Sequence, residues 1–397
     1  MNQDIKTTIN LILEKTSQEK ALGKGPYTSF FRDCIVTANN NGASDIHIEP
    51  NEKGVDIRLR VNGDLVMWKQ LPKDRRESLV YEIKRLTNLS IETNNKPLDA
   101  RVSLPARHLN IRANSLPTIY GEKIVLRLLR TDRDFQLQKC GFKEDMVNVL
   151  RDAIREPNGV IIISGPTGSG KTSTLYALLQ ELNSHERNIV TLEDPVEYTL
   201  YGMNQVEITK ELKFADGLRS ILRQDPDVIL VGEIRDEETA LMAFKAASTG
   251  HLVFSTIHAN GAVEVIDRLT VLGIDQGMIK SNLRLSMAQR LAKLLCSYCS
   301  KPPAPEKLDL VIQKALTRNI EIEPDRLQLV ERNLTGCPQC TSAEGISNPG
   351  IVGRQPIGEF VDREALSKGD GVCAKRSLFQ SYLELSYDFP VDVHQVI

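Results

Sequence analysis

From Ala43 onward the chain alternates apolar against polar at the period of two that marks half-buried strands. Ile46 and Ile48 stand against Asp45, His47 and Glu49, and Val55, Ile57, Leu59 and Val61 alternate with Asp56, Arg58 and Arg60. Asn62-Gly63 is a strong two-residue hairpin signal, and Leu65-Val66-Met67-Trp68 returns from it. Residues 75–89 read as a helix, 101–104 and 109–113 as a second hairpin, and 123–129 as a last strand. Upstream, residues 1–26 read as a short helix ended by Gly23-Lys24-Gly25-Pro26, and 30–37 as an amphipathic helix. The pattern predicts an N-terminal helical segment over 1–42, a small α+β domain over 43–130 and a polar linker over 131–141. From residue 142 the period changes. Short apolar runs at 160–164, 189–192, 228–231 and 252–255 alternate with helix-like stretches, which predicts an α/β domain with a parallel sheet over 142–397.

The first of those runs, Ile161-Ile162-Ile163-Ser164, opens into Gly165-Pro166-Thr167-Gly168-Ser169-Gly170-Lys171-Thr172 and then the helix-forming Ser173-Thr174-Leu175-Tyr176. This is G-x-x-x-x-G-K-[ST] between a strand and a helix, the phosphate-binding loop. Its glycines let backbone N–H groups wrap a phosphate chain, and a helix starting at Lys171 turns its positive end toward the anion. Lys171 is placed to reach the β- and γ-phosphates and Thr172 to ligate Mg²⁺. Pro166, Thr167, Ser169 and Ser173 complete the expected ATP contacts.

Hydrolysis also needs an acid near the attacking water. Ligands sit at the carboxyl ends of parallel strands. That rule selects Glu233 in Gly232-Glu233-Ile234-Arg235-Asp236, not Asp227, which precedes the strand and so lies about 20 Å from its carboxyl end. Glu233 is expected to activate water, to contact Mg²⁺ through water, or both; an ordinary acid at a helix start competes with that reading. Glu193, Asp194 and Glu197 are expected beside the strand that feeds the phosphate loop, holding Mg²⁺-bound water and positioning Glu233, with solvated capping acids as the alternative. His258 follows the carboxyl end of its strand, a position from which to sense a γ-phosphate. His251, at the other end, is expected to be structural or interfacial.

Composition narrows the class. The 397 residues are 41% hydrophobic and 26% charged, ordinary for a globular chain of two or three domains. No apolar run approaches a membrane span, and Met1-Asn2-Gln3-Asp4-Ile5-Lys6 lacks the layout of a secretory signal. A cytoplasmic protein is expected, with any membrane association peripheral. The net charge of −2 hides a balance of +6 over residues 1–130 and −8 over the remainder. Two differently charged solvated surfaces explain that, and neither is basic enough to imply nucleic acid, so none is expected.

Taken in order, Ala43-Ser44-Asp45-Ile46-His47-Ile48-Glu49-Pro50, the phosphate loop, Thr191-Leu192-Glu193-Asp194-Pro195-Val196-Glu197, Gly232-Glu233-Ile234-Arg235-Asp236, Gly250-His251 through His258-Ala259-Asn260, and Ala288-Gln289-Arg290-Leu291 resemble the assembly ATPases of type II secretion and type IV pili. The resemblance covers roughly residues 43–300, with a fainter echo in Gly353-Arg354 and Glu359. It implies a RecA-like ATPase domain joined to a PAS-like N-terminal domain, assembled as a homo-hexamer. It implies ATP hydrolysis coupled to an inner-membrane platform protein and associated assembly proteins, with the motor peripheral to the inner membrane. A retraction or conjugation-type motor of the same superfamily, or a nucleotide-regulated scaffold with little turnover, is the alternative. Family arginines that reach the γ-phosphate match Arg101 and Arg112, with Arg127 a further nucleotide-contact candidate. At Leu98-Asp99-Ala100-Arg101, alanine stands where the family usually has glycine. Many of these ATPases carry a long further N-terminal domain for membrane docking; 42 residues precede Ala43 here, which leaves the mode of recruitment open.

Cys296-Ser297-Tyr298-Cys299 and Cys337-Pro338-Gln339-Cys340 are two C-x-x-C knuckles separated by 37 residues. Four thiolates suit a closed, structural Zn²⁺ site, and a tetracysteine element is expected over 293–345, followed by a C-terminal region over 346–397. A redox pair or plain buried cysteines are the competing readings. The resemblance favours zinc, because assembly ATPases carry this element and retraction ATPases generally do not. Cys34, Cys140 and Cys373 are expected to be packing residues.

Overall fold

In a computed structural model the structure describes residues 26–92, 96–105, 108–341, 346, 348–367 and 373–397. The expected helix within residues 1–26 therefore lies almost wholly outside the described residues. The chain divides into two compact units, one running to Arg133 and including Thr341–Asn348, the other comprising Asp134–Cys340 and Pro349–Ile397.

The first unit is an antiparallel sheet backed by two helices. Its elements are α1 (Pro26–Asn40), β1 (Asp45–Pro50), β2 (Gly54–Val61), β3 (Asp64–Pro72), α2 (Arg76–Leu86), β4 (Leu98–Leu104), β5 (Leu109–Thr118) and β6 (Gly121–Arg130). Six strands lie in the order β3-β2-β1-β6-β5-β4. The alternation read from the sequence becomes two faces. Ile46 pairs with Leu59 and Leu126, Ile48 with Ile57 and Ile124, and all six are buried. Burying them, with Leu79 and Ile83 of α2 and Cys34, Ile35 and Ala38 of α1, supplies the core at roughly 1.5–3 kcal/mol per large side chain. Asn62 and Gly63 take φ of 50° and 90°, the left-handed pair that a tight hairpin requires.

Two boundaries read from the sequence need correction. The helix α1, assigned to a separate segment ending at 42, contributes Phe31, Cys34, Ile35 and Ala38 to the same core as the strands. Thr341–Asn348, assigned partly to the tetracysteine element and partly to the C-terminal region, groups with the first unit. Ile346 is buried in that unit's core, and the Asn348 side chain donates to Val61 O at 2.8 Å.

The second unit follows with α3 (Glu144–Arg155), β7 (Gly159–Ser164), α4 (Lys171–Leu182), β8 (Ile189–Glu193), β9 (Asn204–Glu207), α5 (Phe214–Ile221), β10 (Val228–Val231), α6 (Glu237–Ser248) and β11 (Leu252–Ile257). Next come α7 (Ala262–Val271), α8 (Gln276–Asn282), β12 (Leu283–Leu295), α9 (Pro305–Thr317), β13 (Leu329–Val330), β14 (Ile351–Asp362), α10 (Arg363–Ser367), α11 (Leu378–Ser386), β15 (Val391–Asp392) and α12 (Val393–Val396). The sheet runs β13-β15-β12-β7-β11-β10-β8-β9, with β14 paired to β12. Strands β12, β7, β11, β10, β8 and β9 are mutually parallel. Every residue of β7, β8 and β10 is buried, which is why these strands read as unbroken apolar runs. The order corrects one expectation: β8 is separated from β7 by β11 and β10, so the acids that follow β8 are not beside the phosphate-loop strand.

Candidate nucleotide site and cysteine cluster

The carboxyl ends of β7, β8, β10 and β11 come to one edge of the sheet. Ser164 pairs with Ile257, Val231 with Leu192 and Ser255, so the turns carrying Gly165, Glu193, Glu233 and His258 leave the sheet at neighbouring levels. Gly165 and Gly170 take φ of 144° and 90°. A Cβ on Gly165 would stand 2.4 Å from Gln289 O, so only glycine fits. The helix α4 begins at Lys171 with Gly170 as its N-cap and no side chain capping it. Its first-turn N–H groups and the dipole end thus face the loop's mouth, an arrangement that favours an anion. Lys171 Nζ is held over the loop by donating to Gly165 O at 2.8 Å and Pro166 O at 3.1 Å. Burial lowers its pKa, while the Glu233 carboxylate pulls the other way. Pro166, Thr167 and Gly168 are exposed at the rim, Thr172 and Ser173 half-buried, and the buried Ser169 Oγ lacks a hydrogen-bond partner. This cradle fits a polyphosphate chain with its cation.

Glu233, two residues past β10, is 14% exposed and forms an ion pair with Arg235. His258 Nε2 stands 3.7 Å from its other oxygen. The hydrogen bond to Glu233 raises the Arg235 pKa. Asp236 is spent as the N-cap of α6, accepting from Thr239 N at 2.8 Å. Asp227 lies at the opposite edge, accepting from Asn188 N, as its position before the strand required. His251 contacts Ala246 O and Thr249 Oγ1 through Nδ1.

Glu193 differs from expectation. It is 5% exposed, and both carboxylate oxygens are engaged. Tyr176 OH donates to Oε2; Thr191 Oγ1 at 2.6 Å and Gln205 Nε2 at 3.2 Å donate to Oε1. Burial raises its pKa against those donors. The side chain braces α4 against β8 and β9 and is not presented to a water at the loop. Asp194 and Glu197, exposed and half-buried, are the acids of that turn that face outward.

The arginines lie in the first unit and form a row. Arg101 pairs with Arg112 across β4 and β5, Arg112 with Arg127 across β5 and β6, and Arg127 with Asp45, which pairs with Arg60. Direct cross-strand partners share a face, so three guanidinium groups stand side by side. Asp45 Oδ1 accepts from Arg127 Nε at 3.1 Å, and Asp99 is 3.7 Å from Arg112. Adjacent like charges cost stability, and an anion on that face offsets the cost.

The four knuckle cysteines converge as read. Their sulfurs lie within 4.8 Å of one another, with Cys296–Cys337 and Cys337–Cys340 at 3.8 Å and Cys299–Cys340 at 3.7 Å. A tetrahedral zinc ion at ~2.3 Å from each thiolate separates sulfurs by ~3.8 Å, so the donor set fits Zn²⁺. None is in a disulfide. Cys34 is buried in the first unit's core, Cys140 is half-buried beside α4, and Cys373 is exposed.

A family model described as "Type II/IV secretion system protein" matches residues 20–370. The chain belongs to that family. It is 42% identical over 363 residues to "Type II secretion system protein E" of Aeromonas hydrophila, covering 90% of this chain and 70% of that one. It is 37% identical over 348 residues to "Type IV pilus assembly ATPase PilB" of Myxococcus xanthus, covering 85% and 60%. Among solved structures, the ATPase DotB of Legionella pneumophila superposes with TM-score 0.66 at 22% identity, over 93% of this chain and 94% of that one. The pilus retraction motor PilT with bound ADP superposes at 0.60 and 23%, over 92% and 95%. These two likenesses establish the fold alone: an α/β ATPase architecture. Sequence reading passed over Tyr176, Gln205 and Arg235 as partners of the acids. An aromatic hydroxyl in the helix after a phosphate loop and an arginine two residues past Glu233 were the available signals.

Proposed function

We propose that the chain is an ATP-hydrolysing motor that powers assembly of a type IV pilus or a type II secretion pseudopilus. The observation that carries this is the uncapped start of α4 behind a glycine-rich loop that holds Lys171 over itself, with Glu233 past the carboxyl end of β10, one strand removed from β7 on the same edge of the sheet. Bound ATP with Mg²⁺ would supply the phosphoryl group and the Lewis acid. Lys171 and the loop N–H groups would hold the phosphates, and the Thr172 hydroxyl would be the protein's ligand to the cation. Glu233 takes the proton of the attacking water, its charge held by Arg235 and its second oxygen close to His258. Arg101, Arg112 and Arg127 are proposed to supply positive charge to the γ-phosphate.

The second unit is read as RecA-like, supported by its run of parallel strands, and the first as PAS-like. Zinc in the cysteine cluster is structural, supported by the sulfur spacings. The working form is a homo-hexamer at the cytoplasmic face of the inner membrane, acting on a platform protein. No helix among the described residues is long and apolar enough to cross a membrane. The assembly reading is supported by the curated relatives named as type II secretion or type IV pilus assembly proteins, at 37–42% identity.

ATP turnover against protein concentration, with mass determined on the same samples, tests this. Turnover is expected to rise with a ring-sized species. Glu233→Gln is expected to lose about 10²–10⁴ of it while still binding ATP. Equal, negligible turnover of both proteins in an assembled, ATP-bound ring would favour a scaffold instead.

A further inference from the structure

The phosphate loop is held from behind by β12. Gln289, 1% exposed, follows Ala288, which pairs with Ser164 at the end of β7. Its amide spans the loop and the helix behind it. Nε2 donates to Ser169 O at 2.8 Å, and Oε1 accepts from Thr174 Oγ1 at 2.9 Å. Contact is close on both sides: a Cβ on Gly170 would lie 2.9 Å from that Nε2. The next residue reaches outward. Arg290 Nη1 donates to Gln289 O at 3.0 Å and Nη2 to Asn260 O at 2.6 Å, in the turn that carries His258. A Cβ on Gly165 would stand 3.2 Å from Arg290 Nη1, so the guanidinium lies against the loop as well.

The geometry of a trans peptide gives these bonds a consequence. In a planar trans unit the C=O of one residue and the N–H of the next point in opposite directions. Holding Ser169 O toward β12 therefore turns the Gly170 N–H away from β12, toward the side on which a bound phosphate sits. Gly170 O is fixed in turn by Thr174 N at 3.1 Å, so the carbonyls on both sides of Gly170 are pinned. An apolar side chain of similar volume would fill the space of Gln289 without burying an amide. It would leave Ser169 O without that donor and the peptide before Gly170 without its restraint, while the Thr174 hydroxyl would keep only its 3.3 Å bond to Gly170 O.

We propose that Gln289 is a positioning residue that sets the phosphate loop for its anion, and that Gln289 and Arg290 together tie the loop to the histidine-bearing turn. The proposal rests on the reading that this loop binds a nucleotide. It predicts a division of labour: Gln289 governs affinity, and Arg290 governs turnover by keeping the His258 turn in register with the loop.

The test uses the full chain and three variants. Gln289→Leu removes both contacts at similar volume. Gln289→Glu keeps the acceptor for Thr174 but places an acceptor against Ser169 O. Arg290→Lys keeps the charge and loses the two-point contact. Each is measured by thermal unfolding without nucleotide, by titration with a fluorescent ADP analogue, and by kcat and KM for ATP. Both Gln289 variants are expected to stay folded with a lowered unfolding temperature, more so for Gln289→Glu, and to bind the analogue about tenfold more weakly, the effect of one lost hydrogen bond. Arg290→Lys is expected to keep that affinity and KM while kcat falls about tenfold. Wild-type affinity in either folded Gln289 variant overturns the proposal. So does failure of both to fold, which would make Gln289 a stability residue. Unchanged kcat in Arg290→Lys removes the tie to the histidine turn. Wild-type protein that does not bind the analogue at all sinks the nucleotide reading itself, a failure separable from the others.

Discussion

Glu193 carries a carboxylate that the fold has withdrawn from water and surrounded with donors. Its pKa is raised, with burial as the leading cause, so the folded protein holds its proton to higher pH than the unfolded chain does. The sign follows from linkage. Where the folded state binds more protons, stability falls as pH rises, here from the ordinary carboxylate value up to the raised one, and the loss persists above it. Glu193→Gln removes that charge while keeping an acceptor for Thr191 or Tyr176. It is expected to flatten the fall of stability across that window, measured by urea unfolding at pH 5 and pH 7.5. A variant that is destabilised equally at both values would contradict this. Glu233 was legible from the sequence because the strand-end rule needs only one strand and its direction. Glu193 obeys the same rule, yet its environment is made by Tyr176 and Gln205, from a helix and a strand whose approach no local pattern encodes.

At the scale of elements, the period-two pattern of the first unit carried most of its fold, because alternation specifies which face of each strand is buried. The row formed by Arg101, Arg112 and Arg127 was a different matter. Three arginines scattered over 27 positions become neighbours only once the registers of β4, β5 and β6 are known. In the second unit, β12 was not anticipated. Leu283–Leu295 has no β-branched residue, and its propensity is helical; pairing with β7 on one side and β14 on the other overrides it. The arginine row makes a prediction that separates function from stability. Arg112→Gln removes the middle charge of the row and an exposed, 3.7 Å contact with Asp99 of the kind worth ~0–1 kcal/mol. The unfolding temperature is therefore expected to stay level or rise as repulsion is relieved. Turnover is expected to fall by about 10³, as for an arginine that serves a γ-phosphate in trans or in cis. A fall in both together would assign Arg112 to the sheet's stability instead.

For the whole molecule the cysteine cluster does more than close a loop of its own unit. The chain leaves the second unit after Cys340, contributes Thr341–Asn348 to the first, and returns at Pro349. Both ends of that excursion are fixed at the cluster: Gly350 N donates to Cys340 Sγ at 3.3 Å, and Cys296 N donates to Gly350 O at 2.9 Å. With zinc bound, the four sulfurs hold Cys340 in place, and Gly350 with it. Metal loss would free both ends at once, and the segment that buries Ile346 and donates from Asn348 to Val61 O would lose its anchorage. One zinc per chain is expected by metal analysis of the purified protein. Stripping it with a thiol reagent and chelator is expected to lower hydrogen-exchange protection in two places: Cys296 to Ser300, and the Val61 end of β2 in the other unit. Val228–Val231, at the centre of the parallel sheet, should keep its protection, since its partners are β8 and β11 and neither touches the cluster's sequence. Unchanged exchange at Val61 after quantitative zinc release would show that the segment is held by its own packing, and that the metal's structural role ends at the knuckles.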